Sequence, residues 1–127
     1  MYFIRRFFSS PVTAEAMSAA TQKAQSIIDG NAVANGLASL AVFSKSYCPY
    51  CNQTKKLLKD NNAEFYALEL DQEEDGSAIQ DALEKLTGQR TVPNVFIGQK
   101  HIGGNSDLQA KAKDLKSLLT SVGALKA

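Results

Sequence analysis

The segment Cys48-Pro-Tyr-Cys51 constrains the fold more than any other part of this 127-residue chain. Just before it, residues 37–44 form a short apolar run without polar alternation, which is typical of a strand covered on both faces. Pro49 stands where the first turn of a helix tolerates proline, and that helix should run to about Asn61. The segment therefore predicts a strand-to-helix junction with both cysteines at the start of the helix.

Three further helices are predicted from apolar spacing. The first covers residues 18–29 and stops at Gly30, the second is closed by Gly88, and the last covers residues 106–122 with a break near Lys113-Asp114. The predicted core positions on the helices are Ala20, Ala24, Ile27, Ile28, Leu57, Leu58, Ile79, Leu83, Leu86, Leu108, Ala112, Leu115, Leu119 and Val122.

The remaining strands complete a single sheet. One is predicted over residues 64–70, and residues 94–98 and 100–103 form a hairpin that turns at Gly98-Gln99. The acidic run over residues 69–75 is interpreted as a solvated loop that caps the next helix. One βαβ unit followed by a hairpin implies an α/β fold, a four-stranded mixed sheet flanked by helices on both faces.

The chain has only two cysteines, and they lie three positions apart. A bridge between them would close too short a loop to restrain the unfolded chain, so it would be a poor structural staple. Two cysteines at this spacing on a strand-to-helix turn are instead expected of a dithiol redox site. A zinc site would need about four ligands, and the sequence adds only one histidine, His101, which we expect to be a strand residue. Two inert buried cysteines remain the other alternative.

The two sulfurs should differ in reactivity. Cys48 is predicted at the helix N-terminus, where unpaired N–H groups and the helix dipole favour an anion. The thiolate is such an anion and is the form that attacks disulfides, and Lys45 adds a positive charge nearby. Cys51 lies one turn further into the helix. The sequence therefore predicts Cys48 as the nucleophile and Cys51 as the resolving thiol.

The length and net charge of the chain limit the classes of partner that it is expected to bind. The chain is long enough for one domain, and its net charge of +1 shows no basic excess of the kind that a nucleic-acid binder carries. No stretch approaches the ~20 apolar residues that would span a bilayer. We therefore expect neither nucleic acid nor membrane as a partner, and we expect a monomer.

Residues 1–17 differ in composition from the domain over residues 18–127. The segment begins Met-Tyr-Phe-Ile-Arg-Arg-Phe-Phe-Ser-Ser and has no acidic residue before Glu15. This mixture fits an organelle transit peptide better than a secretory signal, with a disordered tail as the alternative. Met17 could serve as a second start. We expect a cytoplasmic protein with a mitochondrial form directed by this leader.

Several segments together resemble one known family. Ser44-Lys-Ser-Tyr-Cys-Pro-Tyr-Cys51 resembles the active site of dithiol glutaredoxins, and Gly88-Gln-Arg-Thr-Val-Pro-Asn-Val-Phe-Ile-Gly98 is similar to their cis-proline segment. Gly103-Gly-Asn-Ser-Asp-Leu108 is similar to their glutathione-binding turn, and Gln80 matches a further family position. The resemblance covers residues 18–122 with the motifs in order.

This resemblance implies the thioredoxin-like fold and a groove for glutathione. Val92, before a cis Pro93, would pair its backbone with the cysteine part of glutathione, and Asp107 would face the γ-glutamyl ammonium group. Lys45, Gln80 and Arg90 would hold the glycine carboxylate, although Arg90 could instead serve a surface ion pair. The residues that the resemblance assigns to glutathione are Lys45, Tyr50, Gln80, Arg90, Thr91, Val92, Pro93, Gly104, Ser106 and Asp107.

The resemblance also implies the reaction. Protein disulfides, small disulfides and glutathione mixed disulfides would be reduced, with glutathione as the electron donor, no tightly bound cofactor, and glutathione reductase with NADPH regenerating glutathione. A thioredoxin is disfavoured because the chain has no tryptophan for a Trp-Cys-Gly-Pro-Cys site. A glutathione-ligated [2Fe-2S] carrier is the alternative function, and Pro49 disfavours it because carriers often replace that proline.

Overall fold

The computed structural model of the chain describes residues 11–29 and 40–125, with side chains described from Ala19 onward. Its helices and strands are α1 (Pro11–Ile28), β1 (Leu40–Ser44), α2 (Pro49–Asp60), β2 (Tyr66–Glu69), α3 (Gly76–Thr87), β3 (Asn94–Ile97), β4 (Lys100–Gly103), α4 (Asn105–Ala110) and α5 (Leu115–Ser121). A single 3-10 turn, Leu70–Gln72, links β2 to α3.

The four strands form one mixed sheet in the order β2-β1-β3-β4, which confirms the predicted architecture. β1 runs parallel to β2 and antiparallel to β3, and β4 is the antiparallel partner of β3. All five residues of β1 are buried, as the apolar run predicts. The hairpin turns at Gly98 and Gln99, whose φ angles of 57° and 71° are those that a two-residue hairpin turn requires.

Alternate residues of β1 face two separate hydrophobic cores. Ala41 and Phe43 pack with α1 and α3, whereas Leu40 and Val42 pack with α2, α4 and α5. Each fully buried leucine or phenylalanine contributes roughly 1.5–3 kcal/mol. The two cores fix the sheet between helix layers, and so they fix where the carboxyl end of β1 meets α2.

Most predicted helix positions are buried, two are partly buried and two are exposed. The partly buried positions are Leu57 and Val122, which pack against the core that contains Leu40 and Val42. Ala20, Ala24, Ile27 and Ile28 are buried on one face of α1, as predicted. Leu86 is 42% exposed in the last turn of α3, and Ala82 takes its place on the buried face. Ala112 is exposed because it lies in the break between α4 and α5, the break predicted near Lys113-Asp114. The buried core positions on the other helices are Leu58, Ile79, Leu83, Leu108, Leu115 and Leu119.

Some predicted boundaries shift. α1 begins at Pro11 rather than at Ser18, with proline in the first turn, where its missing N–H costs nothing. Residues 1–10, Gly30 and the first three residues of the run over 37–44 lie outside the described residues, so the predictions on them stay predictions. Across the two described ranges, no helix is long and apolar enough to cross a membrane.

The acidic run over residues 69–75 forms ion pairs with another helix and is not merely a solvated loop, which corrects the prediction. Lys23 of α1 pairs with Glu73 at 3.0 Å and with Asp75 at 3.3 Å, and the Glu73 hydrogen bond is the main cause that raises the pKa of Lys23. Asp75 occupies the N-cap position of α3 without capping it through its side chain. The run therefore ties α1 to the start of α3.

Candidate active site

Cys48 is the N-cap residue of α2, as the sequence predicts. Its backbone is extended, with φ −88° and ψ 119°, and Pro49 occupies the first turn. Its sulfur accepts a hydrogen bond from the Cys51 N–H at 3.3 Å, so a helix-terminal donor points at this sulfur. Both cysteines are free thiols, with Cys48 partly exposed and Cys51 buried.

Cys51 is the less reactive sulfur at neutral pH. Burial, followed by its hydrogen bond with Cys48, raises the pKa of the Cys51 thiol to about 11. The Ser44 hydroxyl and the Lys45 backbone oppose this shift by hydrogen bonding. The two environments therefore separate an accessible sulfur at the helix start from a buried thiol one turn later, as the predicted division of roles requires.

The loop between β1 and Cys48 is held by the 3-10 turn that follows β2. Asp71 accepts hydrogen bonds from the backbone N–H of Ser46, at 2.8 Å, and from its hydroxyl. These two bonds are the main causes that lower the pKa of Asp71, and the Lys45 charge adds to them. The Cys48 N–H donates to the Lys45 carbonyl at 3.0 Å. The loop therefore fixes the position of the Cys48 backbone.

Tyr50, two positions after Cys48 in the sequence, lines a groove of about 470 Å³. It lies between the start of α2, the segment before β3 and the start of α4. Its lining includes most of the residues assigned to glutathione, namely Tyr50, Thr91, Val92, Pro93, Gly104, Ser106 and Asp107, together with Gln89 and Asn105. Lys45, Gln80 and Arg90 are not among the lining residues.

The wall before β3 contains the predicted cis peptide bond between Val92 and Pro93. Gln89 holds this wall, since its amide nitrogen donates to the Thr91 carbonyl at 3.1 Å and to the Pro93 carbonyl at 3.0 Å. Its amide oxygen lies 3.2 Å from the His101 ring nitrogen Nε2. The sequence analysis missed Gln89, and a glutamine four residues before a proline carries no local signal that would single it out.

The opposite wall depends on two glycines and one carboxylate. The Gly104 N–H donates to Asp107 Oδ2 at 2.9 Å. Gly103 has a φ of 122°, and a Cβ there would lie 2.3 Å from the same oxygen. Glycine at this position therefore lets the chain turn into α4 while Asp107 stays beside the groove.

Gln80 and Arg90 lie together, but the guanidinium faces α3. Gln80 donates to the Arg90 carbonyl at 2.9 Å. Arg90 forms an ion pair with Asp81 and approaches Glu84 to 3.9 Å. The surface ion pair that was the alternative for Arg90 is thus present, whereas Gln80 is positioned by the segment that leads to Pro93.

No metal cluster accompanies the cysteines in the described part of the chain, where no three or more His, Cys, Asp or Glu side chains gather to hold an ion. His101 is on β4, as predicted, with its ring 5.2 Å from that of Phe96. Burial is the main cause that lowers the pKa of His101, and the charge of Asp107 opposes it.

Comparisons with known proteins agree on one family. The glutaredoxin family model matches residues 40–102. A glutaredoxin of Solanum lycopersicum is 53% identical over 81% of this chain and 91% of its own length. Glutaredoxin-C2 of Arabidopsis thaliana is 51% identical over 84% and 91%. The crystal structure of a buckwheat glutaredoxin–glutathione complex superposes with a TM-score of 0.79 at 48% identity, covering 88% of this chain and 97% of that one.

Proposed function

The chain belongs to the glutaredoxin family, and from that premise we propose how its residues carry out the reaction. It is a glutathione-dependent thiol–disulfide oxidoreductase with the thioredoxin-like fold. The observation that carries the proposal is the position of Cys48, at the N-cap of α2 and two residues before Tyr50, which lines the groove. The residue roles below rest on that geometry.

We propose that the Cys48 thiolate attacks the glutathione sulfur of a mixed disulfide. The bond between that sulfur and the target sulfur breaks, and the target leaves as a thiolate that takes a proton from water. A second glutathione thiolate then attacks the Cys48–glutathione bond and forms oxidised glutathione, which frees Cys48. The unpaired N–H groups of the first turn of α2 stabilise the sulfur anion at the start and at the end of this cycle.

Protein disulfides require Cys51 as well. After Cys48 attacks such a disulfide, Cys51 attacks Cys48 and releases the second target sulfur, which leaves a Cys48–Cys51 disulfide. Two glutathiones reopen this bridge. The short separation between the two residues, with the Cys51 N–H bonded to the Cys48 sulfur, places them for that closure.

The groove is the proposed binding site for glutathione, the ligand that the buckwheat relative holds in its complex. Val92 would offer its backbone to the cysteine part of glutathione, and Asp107 and Ser106 would receive the γ-glutamyl end. Lys45 and Gln80 would hold the glycine carboxylate at the far end. Arg90 joins them only when its pair with Asp81 opens.

Electrons would reach the protein from glutathione, with glutathione reductase and NADPH regenerating it, and no tightly bound cofactor takes part. The proposed partners are glutathionylated and disulfide-containing proteins that meet a monomeric enzyme. Nothing in the described residues favours the [2Fe-2S] carrier over this function.

Separate replacement of the two cysteines tests the roles. Cys48→Ser should reduce the glutathione-dependent turnover of a glutathionylated peptide to the uncatalysed rate, because it removes the attacking sulfur. Cys51→Ser should retain turnover of that peptide but lose the Cys48–Cys51 disulfide in oxidised protein. Coupling to glutathione reductase measures the turnover. Equal loss in both variants would contradict the division of labour.

We also propose that residues 1–17 direct a mitochondrial form and that a start at Met17 gives a cytosolic one. The described buried side chains of α1 begin at Ala20, so a chain that starts at Met17 keeps all of them. Sequencing of the mature N-terminus from purified mitochondria and cytosol checks this proposal. An intact Met1 form in both compartments would contradict it.

A further inference from the structure

A buried hydrogen bond joins the helix that carries the cysteines to the turn that carries Asp107. Thr54 lies on the buried face of α2 with Cys51 and Leu58, and its exposed fraction is 0%. Its hydroxyl donates to Asn105 Oδ1 at 2.9 Å. Asn105 is the first residue of α4 and lines the groove. The bond therefore connects two helices whose first turns both border the groove.

The hydroxyl of Thr54 is used differently from those of two other helical threonines in this chain. Thr87 and Thr120 each donate to the backbone carbonyl four residues earlier, at Leu83 and Lys116. Such bonds stay within one helix and are a common choice for a helical threonine. Thr54 donates instead to a side chain 51 positions away in the sequence. Because a buried hydroxyl needs a partner, this bond holds α2 and α4 in one relative position.

Asn105 makes further bonds that fix its amide group. Gln109 of α4 donates to the same Oδ1 at 3.2 Å, and Asn105 Nδ2 donates to Gln53 Oε1 at 3.0 Å. Gln53 and Gln109 are both exposed, so water competes for their bonds, whereas the Thr54 hydroxyl is shielded from water. We therefore expect the Thr54 bond to be the main polar restraint between the two helices.

This restraint bears on where the γ-glutamyl end of glutathione would lie. Ser106 and Asp107, the residues proposed for that end, follow Asn105 directly, and both are exposed. The hydrogen bond that Asp107 accepts from the backbone lies within its own turn, so it shapes the turn without relating it to α2. Thr54 stands about 9 Å along the axis of α2 from Cys48, on the same helix. The bond to Asn105 therefore ties the position of Asp107 to that of Cys48.

We propose that Thr54 is a positioning residue through which the protein selects disulfides of γ-glutamyl thiols. The inference rests on the proposed glutathione site and deepens it. Through Asn105, Thr54 keeps Asp107 at the distance from Cys48 that lets one glutathione reach both, its ammonium group at the carboxylate and its sulfur at the nucleophile. Thr54 is buried and is not among the residues that line the groove, so it acts through Asn105. A thiol without the γ-glutamyl group gains nothing from this arrangement.

Two substrates that differ only in the γ-glutamyl group test the proposal. One peptide is prepared as its mixed disulfide with glutathione and as its mixed disulfide with cysteinylglycine, and kcat and KM are measured for each at one high concentration of glutathione. Thr54→Val removes the hydroxyl and keeps the shape of the side chain. It should raise the KM for the glutathione disulfide about fivefold, the effect of losing one neutral hydrogen bond, and leave kcat within about twofold. The kcat/KM for the cysteinylglycine disulfide should stay within about twofold of the wild-type value.

Four further variants separate positioning from a general loss of structure. Gln109→Ala removes a bond to the same oxygen of Asn105, but one within α4, and should keep the wild-type ratio of the two kcat/KM values. Thr54→Ser restores the hydroxyl and should recover that ratio. Thr54→Ala cuts the same bond with a smaller side chain and should lose the preference as Thr54→Val does, so the test stands where valine does not fit. In an Asn105→Ala background, Thr54→Val should change the ratio by less than about twofold, because its acceptor is gone.

Each outcome of these measurements has one interpretation. An unchanged ratio in Thr54→Val and Thr54→Ala would overturn the positioning role and leave the proposed glutathione site standing. An equal loss on both substrates would also overturn it, because the bond would then support the whole site rather than the γ-glutamyl end. A wild-type protein that uses both disulfides equally well would contradict the assignment of the γ-glutamyl end to Asp107, and with it the role of Thr54.

Discussion

Two cysteines three positions apart have opposite environments in this protein. Cys48 caps α2 and receives an N–H of the first turn, while Cys51 is inside the helix and fully buried. The helix end favours a charged sulfur and the interior disfavours one. A separation of one helical turn is therefore enough to give one cysteine the role of attacking thiol and the other the role of resolving thiol.

The pH dependence of stability should report the buried thiol. The pKa of Cys51 rises from 9.0 to about 11 on folding, so the folded state favours the protonated thiol. This contribution to the free energy of unfolding is complete below pH 9 and is lost as pH rises through 11. Ionisation of Cys51 alone should lower the free energy of unfolding of the reduced protein by about 2–3 kcal/mol over that range. Urea unfolding of reduced wild type and Cys51→Ala at several pH values measures the difference. Parallel pH curves for the two proteins would contradict it.

At the scale of elements, the site is built at three junctions between helices and strands. The carboxyl end of β1 leads into Cys48, the turn before β3 carries Pro93, and the turn after β4 leads into α4. Asp71, which follows β2, holds the loop before Cys48. The groove is thus lined by the segment before β3 and by the first turns of α2 and α4, and the sheet determines how far apart these lie.

The turn into α4 gives a test of the groove wall. Gly103→Ala should lower the free energy of unfolding by about 1–3 kcal/mol, and it should displace Asp107 because the new Cβ would collide with its carboxylate. The KM for glutathione should rise about tenfold, the effect of losing one hydrogen bond to a charged group.

Gly88→Ala is the matched control for that substitution. Gly88 also has a positive φ, 83°, but a Cβ there meets nothing within 4 Å. It should cost about 1–2 kcal/mol of stability and leave the KM unchanged. If Gly103→Ala also left the KM unchanged, Asp107 would not hold glutathione.

Local patterns predicted the elements well and the long-range contacts poorly. The described part of the apolar run before Cys48, the proline after it and the Gly98-Gln99 turn each act within a few residues, and each was found where predicted. The Lys23–Glu73 pair spans 50 positions, so no local pattern could reveal it. Gln89 was missed for a related reason, because its role depends on where the Thr91 and Pro93 carbonyls point in the folded chain.

At the scale of the whole molecule, the fold places the reactive cysteine at the carboxyl end of a central strand of the sheet. Two cores clamp β1 from both sides, and the nucleophile follows directly at the end of that strand. A substrate can then reach Cys48 without any opening of the core. Specificity is left to the groove, whose walls come from segments far apart in the sequence.

The central claim is that the Cys48 sulfur, at the N-terminus of α2, is the attacking nucleophile and that the groove next to it binds glutathione. The most direct measurement is the rate at which iodoacetamide alkylates Cys51→Ser protein at about pH 6, compared with free cysteine, with and without S-methylglutathione as a non-reacting competitor. The account predicts alkylation at least about tenfold faster than that of free cysteine, and slowed by the competitor. Alkylation no faster than that of free cysteine, or unaffected by the competitor, would contradict it.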